Sequence, residues 1–194
     1  MSRRANPWLL PRQRICRGAQ AVQPNLLGQL ALMERELRTL DLPMAFIRAA
    51  WFMENAAWDV EPARTTGVVP SYLQPLDKPF PMIATDDVGR TAAELLLEDW
   101  SGHRVVELEG SRRVSPNDIA EAFAKALGWP VKSEIVARDG WDALFRAQGM
   151  QHPTPRMQML DGFNAGWIDF AQRGADARKG SITIDQAIAA LVKS

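Results

Sequence analysis

Apolar residues recur between positions 26 and 40 with the spacing of an amphipathic helix. They stand at alternating steps of four and three, which places side chains on one face of a helix. Pro24 precedes the segment and Pro43 follows it, as is common at helix boundaries. The pattern predicts a helix with one apolar face. Its members are Leu26, Leu30, Met33, Leu37 and Leu40.

The rest of the chain alternates between short apolar segments and longer amphipathic ones. MAFIRAAWF, RVVELEG and VKSEIVA are predicted as strands, and residues 61–81 as a loop-rich stretch with a short apolar segment around Val68 and Val69. Another short apolar segment follows at residues 82–83. Helices are predicted in ATDDVGRTAAELLLEDW, in VSPNDIAEAFAKALGWP, from Asp139 to Gly149, around residues 157–167 and in IDQAIAALV. Strands that alternate with helices of this length favour a mostly parallel α/β sheet.

Helix ends carry recognisable capping residues. Ser115 stands before Pro116, and Gly128 follows the last apolar turn of the same segment. Serine favours the position before a helix, proline its first turn and glycine its end. Thr183 and Gln186 have the spacing of a capping box. Thr85 or Asp86 is expected to be the N-cap of the helix after residue 84, with acidic residues early in its first turn.

Charge is balanced over the whole chain but not along it. The chain has 23 basic and 23 acidic residues, while residues 1–33 hold five arginines and no acid. Residues 1–17 are predicted to be a disordered, Arg-rich tail, although such a head also suits a nucleic-acid arm or a transit peptide. The zero net charge gives no reason to expect direct nucleic-acid binding by the domain as a whole.

Several kinds of site are excluded by composition. Cys16 is the only cysteine and there are two histidines, so neither an internal disulfide nor a zinc site is expected, in keeping with a cytoplasmic location. The apolar runs are shorter than a membrane span requires. No two of the 13 glycines stand two or three positions apart, so the G-x-G-x-x-G turn is absent. Tyr72, the only tyrosine, is followed four positions later by Leu76, which excludes a Tyr-x-x-x-Lys pair.

The stretch AAWFMENAAWD, residues 49–59, concentrates apolar aromatic surface around a polar pair. Trp51, Phe52, Met53 and Trp58 are either core residues at a strand end or the wall of a pocket. Glu54 and Asn55 must be hydrogen-bonded or reached by water there, because an unpaired buried polar group is costly. A second cluster leaves the same two alternatives open, core or an apolar substrate cleft. It comprises Met150, Met157, Met159, Phe163 and Trp167.

Other polar residues have a structural and a functional interpretation. Arg48 is predicted to form an ion pair with Asp86 or Asp87, with ligand contact as the alternative. The two aspartates are interpreted as helix-capping residues rather than metal ligands. His152, before Pro153, is interpreted as a loop histidine, with a general-acid role as the minority alternative.

Three segments, in consistent order, resemble the NmrA-like group of atypical short-chain dehydrogenases. They are PNLLGQLALMERELRTLDLPMAFIRAAWFMEN, PFPMIATDDVGRTAAELL and VVELEG with SRRVSPNDIAEAFAKALG, and residues 52–55 read F-M-E-N as in that family. The resemblance extends over residues 18–194. It implies the C-terminal part of a Rossmann-like, mostly parallel α/β sheet with a small α/β substrate lobe, without the glycine-loop half that precedes this region in the family.

The resemblance also implies a chemistry. NAD(P) is the family cofactor, and hydride transfer to a small apolar carbonyl or quinone is the implied reaction. Without the glycine loop, the chain is expected to be truncated relative to the family and its NAD(P) binding to be impaired. Leu30 stands where some relatives carry a lysine near the nicotinamide, so no catalytic residue is carried over. The alternative is a non-catalytic regulatory module that acts through a homodimer or a partner protein.

The family assigns the end of the first strand to the nicotinamide and substrate side. On that basis the expected cofactor-binding residues are Ala50, Trp51, Phe52 and Asn55. The expected substrate-binding residues are Met53, Glu54, Trp58, Met150, Phe163 and Trp167.

Overall fold

A computed structural model describes residues 26–170 and 176–193. The predicted Arg-rich tail and Cys16 lie outside these ranges. The helices are α1 (Leu26–Leu37), α2 (Val60–Thr66), α3 (Thr85–Leu96), α4 (Pro116–Leu127), α5 (Trp141–Ala147), α6 (Thr154–Ala165) and α7 (Ile184–Lys193). Two 3₁₀ segments span Met53–Asp59 and Arg138–Gly140. The strands are β1 (Met44–Ala49), β2 (Trp51–Phe52), β3 (Val68–Ser71), β4 (Met82–Ile83), β5 (His103–Glu109), β6 (Lys132–Ile135) and β7 (Ala177–Lys179).

All the described strands pair in parallel. β5 lies between β1 and β7 in a three-stranded sheet, while β2 pairs with β4 and β3 with β6. One isolated antiparallel bridge joins Phe80 to Val114. The predicted mostly parallel α/β fold is therefore confirmed, divided into one larger sheet and two small strand pairs.

The predicted strand MAFIRAAWF changes its pairing partner at Ala50. The Ala50 N–H donates to the Leu108 carbonyl oxygen at 2.9 Å, and the Trp51 N–H donates to the Pro81 carbonyl oxygen at 3.3 Å. One extended segment thus pairs first with β5 and then with β4. Because of this exchange, the chain leaves the larger sheet at Ala50, and Trp51 and Phe52 of the aromatic stretch lie in the β2–β4 strand pair.

The exchange requires close backbone approach at Gly110, just after β5. Its N–H donates to the Met82 carbonyl oxygen at 2.6 Å. A Cβ added at Gly110 would lie 2.8 Å from that oxygen and 3.2 Å from the Met53 side chain. Only a residue without a side chain fits at this crossing.

The predicted capping residues of two helices are confirmed. The Ser115 hydroxyl accepts from the Asp118 N–H while the Asp118 carboxylate accepts from the Ser115 N–H, and Gly128 ends α4 at a φ of 77°. At the start of α7, the Thr183 N–H donates to the Gln186 side chain at 2.9 Å, and the Thr183 hydroxyl accepts from the Gln186 N–H at 3.3 Å. These signals were readable because each involves residues three apart.

Other predicted boundaries were wrong. Helix α2 occupies the start of the predicted loop, with Pro62 in its first turn, where a missing N–H costs nothing. Ala84 precedes α3 and makes no side-chain cap. Asp139 lies in the 3₁₀ segment before α5 rather than at its cap. Trp167 lies beyond the end of α6, which Gly166 terminates.

The ion pair predicted for Arg48 was also wrong. Arg48 bonds Glu34 of α1, with its Nη2 2.9 Å from Oε1. Asp87, which is 2% exposed, instead accepts from the N–H groups of Ser181 and Ile182, both at 2.9 Å. Asp87 therefore holds the segment between β7 and α7 against the start of α3, with Arg90 as its ion-pair partner at 2.9 Å.

The main core lies beneath the small strand pairs, where α4 and α7 pack against one another. Its largest fully buried side chains are Trp141, Phe80, Phe123, Phe145 and Met82. The apolar face of α1 is not part of it. Leu30 and Met33 are 56% and 54% exposed, so the predicted helix is present but that part of its apolar face is uncovered among the described residues.

We expect Gly110→Ala to lower the free energy of unfolding by about 2 kcal/mol, because the added methyl group must displace the Met82 carbonyl. Gly89→Ala is the matched control. Gly89 lies within α3 with open space around its Cα, so alanine there should stabilise the protein by about 0.5–1 kcal/mol. Urea denaturation of both variants measures the difference. Equal effects of the two substitutions would contradict the crowding at the crossing.

Candidate functional site

A cleft of about 440 Å³ opens beside the 3₁₀ segment Met53–Asp59. Its walls come from this segment, from β3 and the residues after it, from the first turn of α4 and from the connection between α5 and α6. Six of the ten predicted site residues line it, namely Trp51, Phe52, Met53, Asn55, Trp58 and Met150. The cleft is defined from here on by these residues together with Asp59, Tyr72 and Arg156.

The two polar residues of the aromatic stretch, Glu54 and Asn55, point in different directions from the 3₁₀ segment. Asn55 is exposed and lines the cleft, whereas the Glu54 carboxylate turns to the start of α3 and accepts from the Thr85 N–H at 2.9 Å. The second Glu54 oxygen is buried without a hydrogen-bond partner among the described residues. The structure therefore gives Glu54 a helix-capping contact, while Trp58 stands 82% exposed at the mouth of the cleft.

Tyr72 forms a closely packed part of the wall. Its ring packs on Trp141 and Phe145, with centroids 5.7 Å and 5.0 Å away. The Asn164 side chain of α6 fixes the same segment, since its Nδ2 donates to the Tyr72 carbonyl oxygen and its Oδ1 accepts from the Gln74 N–H, both at 2.9 Å. Asn164 thus joins α6 to the wall of the cleft.

Two titratable groups, Asp59 and Arg156, face each other in the cleft. Burial raises the pKa of Asp59 to about 7, and the nearby Arg156 guanidinium opposes that rise. The two side chains form no ion pair within 4 Å among the described residues, and the guanidinium lies over the Phe145 ring, 4.6 Å from its centroid. Asp59 and Arg156 were missed in the sequence, although Asp59 directly follows Trp58 in the aromatic stretch.

A second concavity, an apolar groove of about 450 Å³, runs along β1 between α1 and residues 163–170. Ala50 and Phe163 line this groove rather than the cleft, and Phe52 lines both. The rings of Trp51 and Phe163 meet edge to face at 5.5 Å and separate the two spaces. β1 pairs only with β5 in the described part of the chain, so its other edge faces the groove.

Glu34 and Asp169 are the acidic residues among the described residues that line the groove, and Asp169 pairs with Arg113 at 2.6 Å. Burial alone would raise the pKa of Glu34, but hydrogen bonds from Arg48 and Arg38 outweigh burial and lower the pKa below the ordinary value. Trp167, in contrast, lines neither the cleft nor the groove. His152 is exposed beside the buried Pro153, outside both spaces. The predicted binding roles of all ten residues stay predictions.

The strand-to-helix turns after β4 and β5 do not suit a dinucleotide pyrophosphate. A phosphate site of that kind uses free N–H groups at a helix N-terminus. The Glu54 carboxylate already occupies the start of α3, and Ser115 with Asp118 occupies the start of α4. An anionic phosphate would meet a carboxylate at either helix.

Within residues 26–170 and 176–193, no group of three or more His, Cys, Asp and Glu side chains is arranged to hold a metal ion. No helix in those ranges has the length and apolar character that crossing a membrane requires.

No protein-family model and no curated protein matches the chain. Solved structures match it in fold. The NADPH-dependent quinone oxidoreductase QOR2 from Escherichia coli, complexed with NADPH, is 18% identical with a TM-score of 0.71, over 89% of this chain and 62% of that one. Triphenylmethane reductase from Citrobacter sp. is 14% identical with a TM-score of 0.70, over 91% and 62%. NmrA, a negative transcriptional regulator in complex with NAD, is 18% identical with a TM-score of 0.50, over 82% and 51%.

These structures define the fold of the chain. It is the α/β fold that these solved structures share, and it agrees with the Rossmann-like fold that the sequence resemblance implied. The chain spans about three fifths of the length of the two reductases.

We expect Asn164→Ala to lower the free energy of unfolding by about 1–2 kcal/mol, because it removes two hydrogen bonds and leaves the Gln74 N–H unpaired. Asn117→Ala is the control, since the Asn117 side chain is exposed on the first turn of α4. Urea denaturation measures both variants. If Asn164→Ala were no more destabilising than Asn117→Ala, the attachment of the cleft wall to α6 would be contradicted.

Proposed function

We propose that the cleft binds a small, planar, apolar carbonyl compound such as a quinone. The observation that carries this proposal is the composition of the cleft, whose aromatic and thioether walls enclose only a few polar groups. Aromatic rings offer flat apolar surface, and Met53 and Met150 adapt to irregular ligands. A pocket of this kind, apolar with a few convergent polar groups, is the usual form of a small-molecule site.

The reaction class that goes with this proposal is NAD(P)H-dependent reduction by hydride transfer. It is supported by the fold shared with QOR2, described as an NADPH-dependent quinone oxidoreductase, and with triphenylmethane reductase. When bound, a nicotinamide supplies the hydride. The described residues of this chain contribute what lies on the substrate side, because the turns after β4 and β5 do not suit the pyrophosphate. They enclose the carbonyl compound, orient it and exclude water.

The cleft proposal is tested by titrating the chain with 2-methyl-1,4-naphthoquinone and following quenching of tryptophan fluorescence. We expect Trp58→Ala to weaken binding about tenfold, because a stacked ring contributes about 1–2 kcal/mol. Trp58 is mostly exposed, so its removal should leave the fold intact.

Trp167→Ala is the matched control, because Trp167 is a partly exposed tryptophan that lines neither space. It should bind the quinone as the unaltered chain does. An equal loss in both variants, or no saturable quenching at all, would overturn the assignment of the cleft. A parallel titration with NADPH reports cofactor binding separately.

A second candidate function is favoured by the groove. We propose a non-catalytic interaction module in which a second copy of the chain covers the groove. Leu30 and Met33 are exposed there, and β1, which lines the groove, pairs with β5 alone among the strands that the structure describes. Exposed strand edges invite pairing with another chain, and NmrA, which shares the fold, is described as a transcriptional regulator.

For this candidate we expect a dimer at micromolar concentration in size-exclusion chromatography with light scattering. Met33→Glu should convert it to a monomer, because a carboxylate would be buried in the apolar contact. Leu97→Glu is the control, since Leu97 is exposed beyond the end of α3 and does not line the groove. A monomer before any substitution would refute the proposal.

A further inference from the structure

Among the described residues that line the cleft, Asp59 is the one with a carboxylate side chain. It ends the 3₁₀ segment, and α2 begins at the next residue. Its side chain makes no hydrogen bond and no ion pair within the described part of the chain, and it does not cap α2. A half-buried carboxyl group that lines a largely apolar cleft and has no partner among the described residues is suited to bind a ligand atom.

The charged groups on the elements that pack around Asp59 leave its carboxyl group available to a ligand. Tyr72 and Arg156 are the other titratable side chains in the described lining of the cleft. On α2, Arg64 donates to the Val192 carbonyl oxygen at 3.0 Å, and Glu61 is exposed. On α7, which packs against the 3₁₀ segment, Asp185 pairs with Lys125 at 3.0 Å and Lys193 is exposed. Arg156 is thus the cation that faces Asp59 across the cleft.

We infer that protonated Asp59 and Arg156 together donate hydrogen bonds to the carbonyl oxygen of the bound ligand, so that binding requires a neutral Asp59. The inference rests on the proposed function and names the group that recognises the carbonyl. A protonated carboxyl is a donor, whereas an ionised one is only an acceptor and repels a carbonyl oxygen. The apolar walls favour the neutral form, because burial penalises the charged one.

The pH dependence follows from the titration of Asp59. With a pKa of about 7, the neutral fraction falls from about nine tenths at pH 6 to about one tenth at pH 8. The apparent dissociation constant scales inversely with the competent fraction. Binding of the carbonyl compound should therefore weaken about tenfold between pH 6 and pH 8. Because Arg156 opposes the rise in the Asp59 pKa, its removal should move this transition to higher pH.

The test measures binding of 2-methyl-1,4-naphthoquinone to the full chain by tryptophan quenching at pH 6, 7 and 8. Asp59→Asn keeps an N–H donor at every pH, so it should bind tightly and almost equally across the range. Asp59→Ala should lose the affinity gained at pH 6. Asp77→Asn is the matched control, because Asp77 is an exposed aspartate outside the cleft, and it should keep the tenfold change.

Two further measurements keep the inference separate from the function on which it rests. The hydrocarbon 2-methylnaphthalene has the same flat shape without the oxygens, so its binding, followed by the same quenching, should not depend on pH. Arg156→Gln should shift the quinone transition to higher pH. Saturable quinone binding that does not change between pH 6 and pH 8 would overturn the role of Asp59 and leave the cleft proposal standing. The absence of quinone binding at every pH would overturn both.

Discussion

The exchange of strand partners at Ala50 is the constraint on which the arrangement of the cleft depends. Each backbone N–H and C=O that is buried must be paired, and the segment 44–52 satisfies this by bonding first to β5 and then to the β4 side. The crossing draws Gly110 onto the Met82 carbonyl and leaves no room for a Cβ. Because the chain leaves the larger sheet there, the residues that follow enter the 3₁₀ segment and become a cleft wall instead of a continued strand.

The parts of the fold that were predictable are those fixed by neighbours in sequence. The Ser115 and Thr183 caps, the parallel α/β class and most strands follow from periods and from contacts three or four residues apart. The contacts of Glu54 with Thr85 and of Asp87 with Ser181 span 31 and 94 residues, and no local pattern encodes such pairs. Helix α2 was missed because it is short and contains Pro62, which reads as a loop signal unless the helix start is already known.

The candidate site also has a part that the sequence predicted and a part that only the fold brings together. Bulky apolar residues at a strand end predicted a wall, and six of the ten predicted site residues line the cleft. The sequence offered no means of separating Trp58 from Trp167, which are equally apolar. Gly166, in the left-handed conformation at a φ of 78°, ends α6 before Trp167 and directs it away from both spaces. Asp59 and Arg156 lie 97 positions apart in sequence, so their meeting is a property of the fold alone.

The two candidate functions meet at one wall. Phe52 lines both the cleft and the groove, and the Trp51–Phe163 contact separates them. A ligand in the cleft and a second chain on the groove would therefore press on the same rings from opposite sides. If a ligand in the cleft changes the packing of these rings, it changes the affinity of the groove for the second chain. The second chain then changes the affinity of the cleft for the ligand by the same factor, because binding free energies are linked. The same aromatic residues therefore border the proposed carbonyl-binding cleft and the proposed protein-binding groove. Their position follows from the change of strand partner at Ala50.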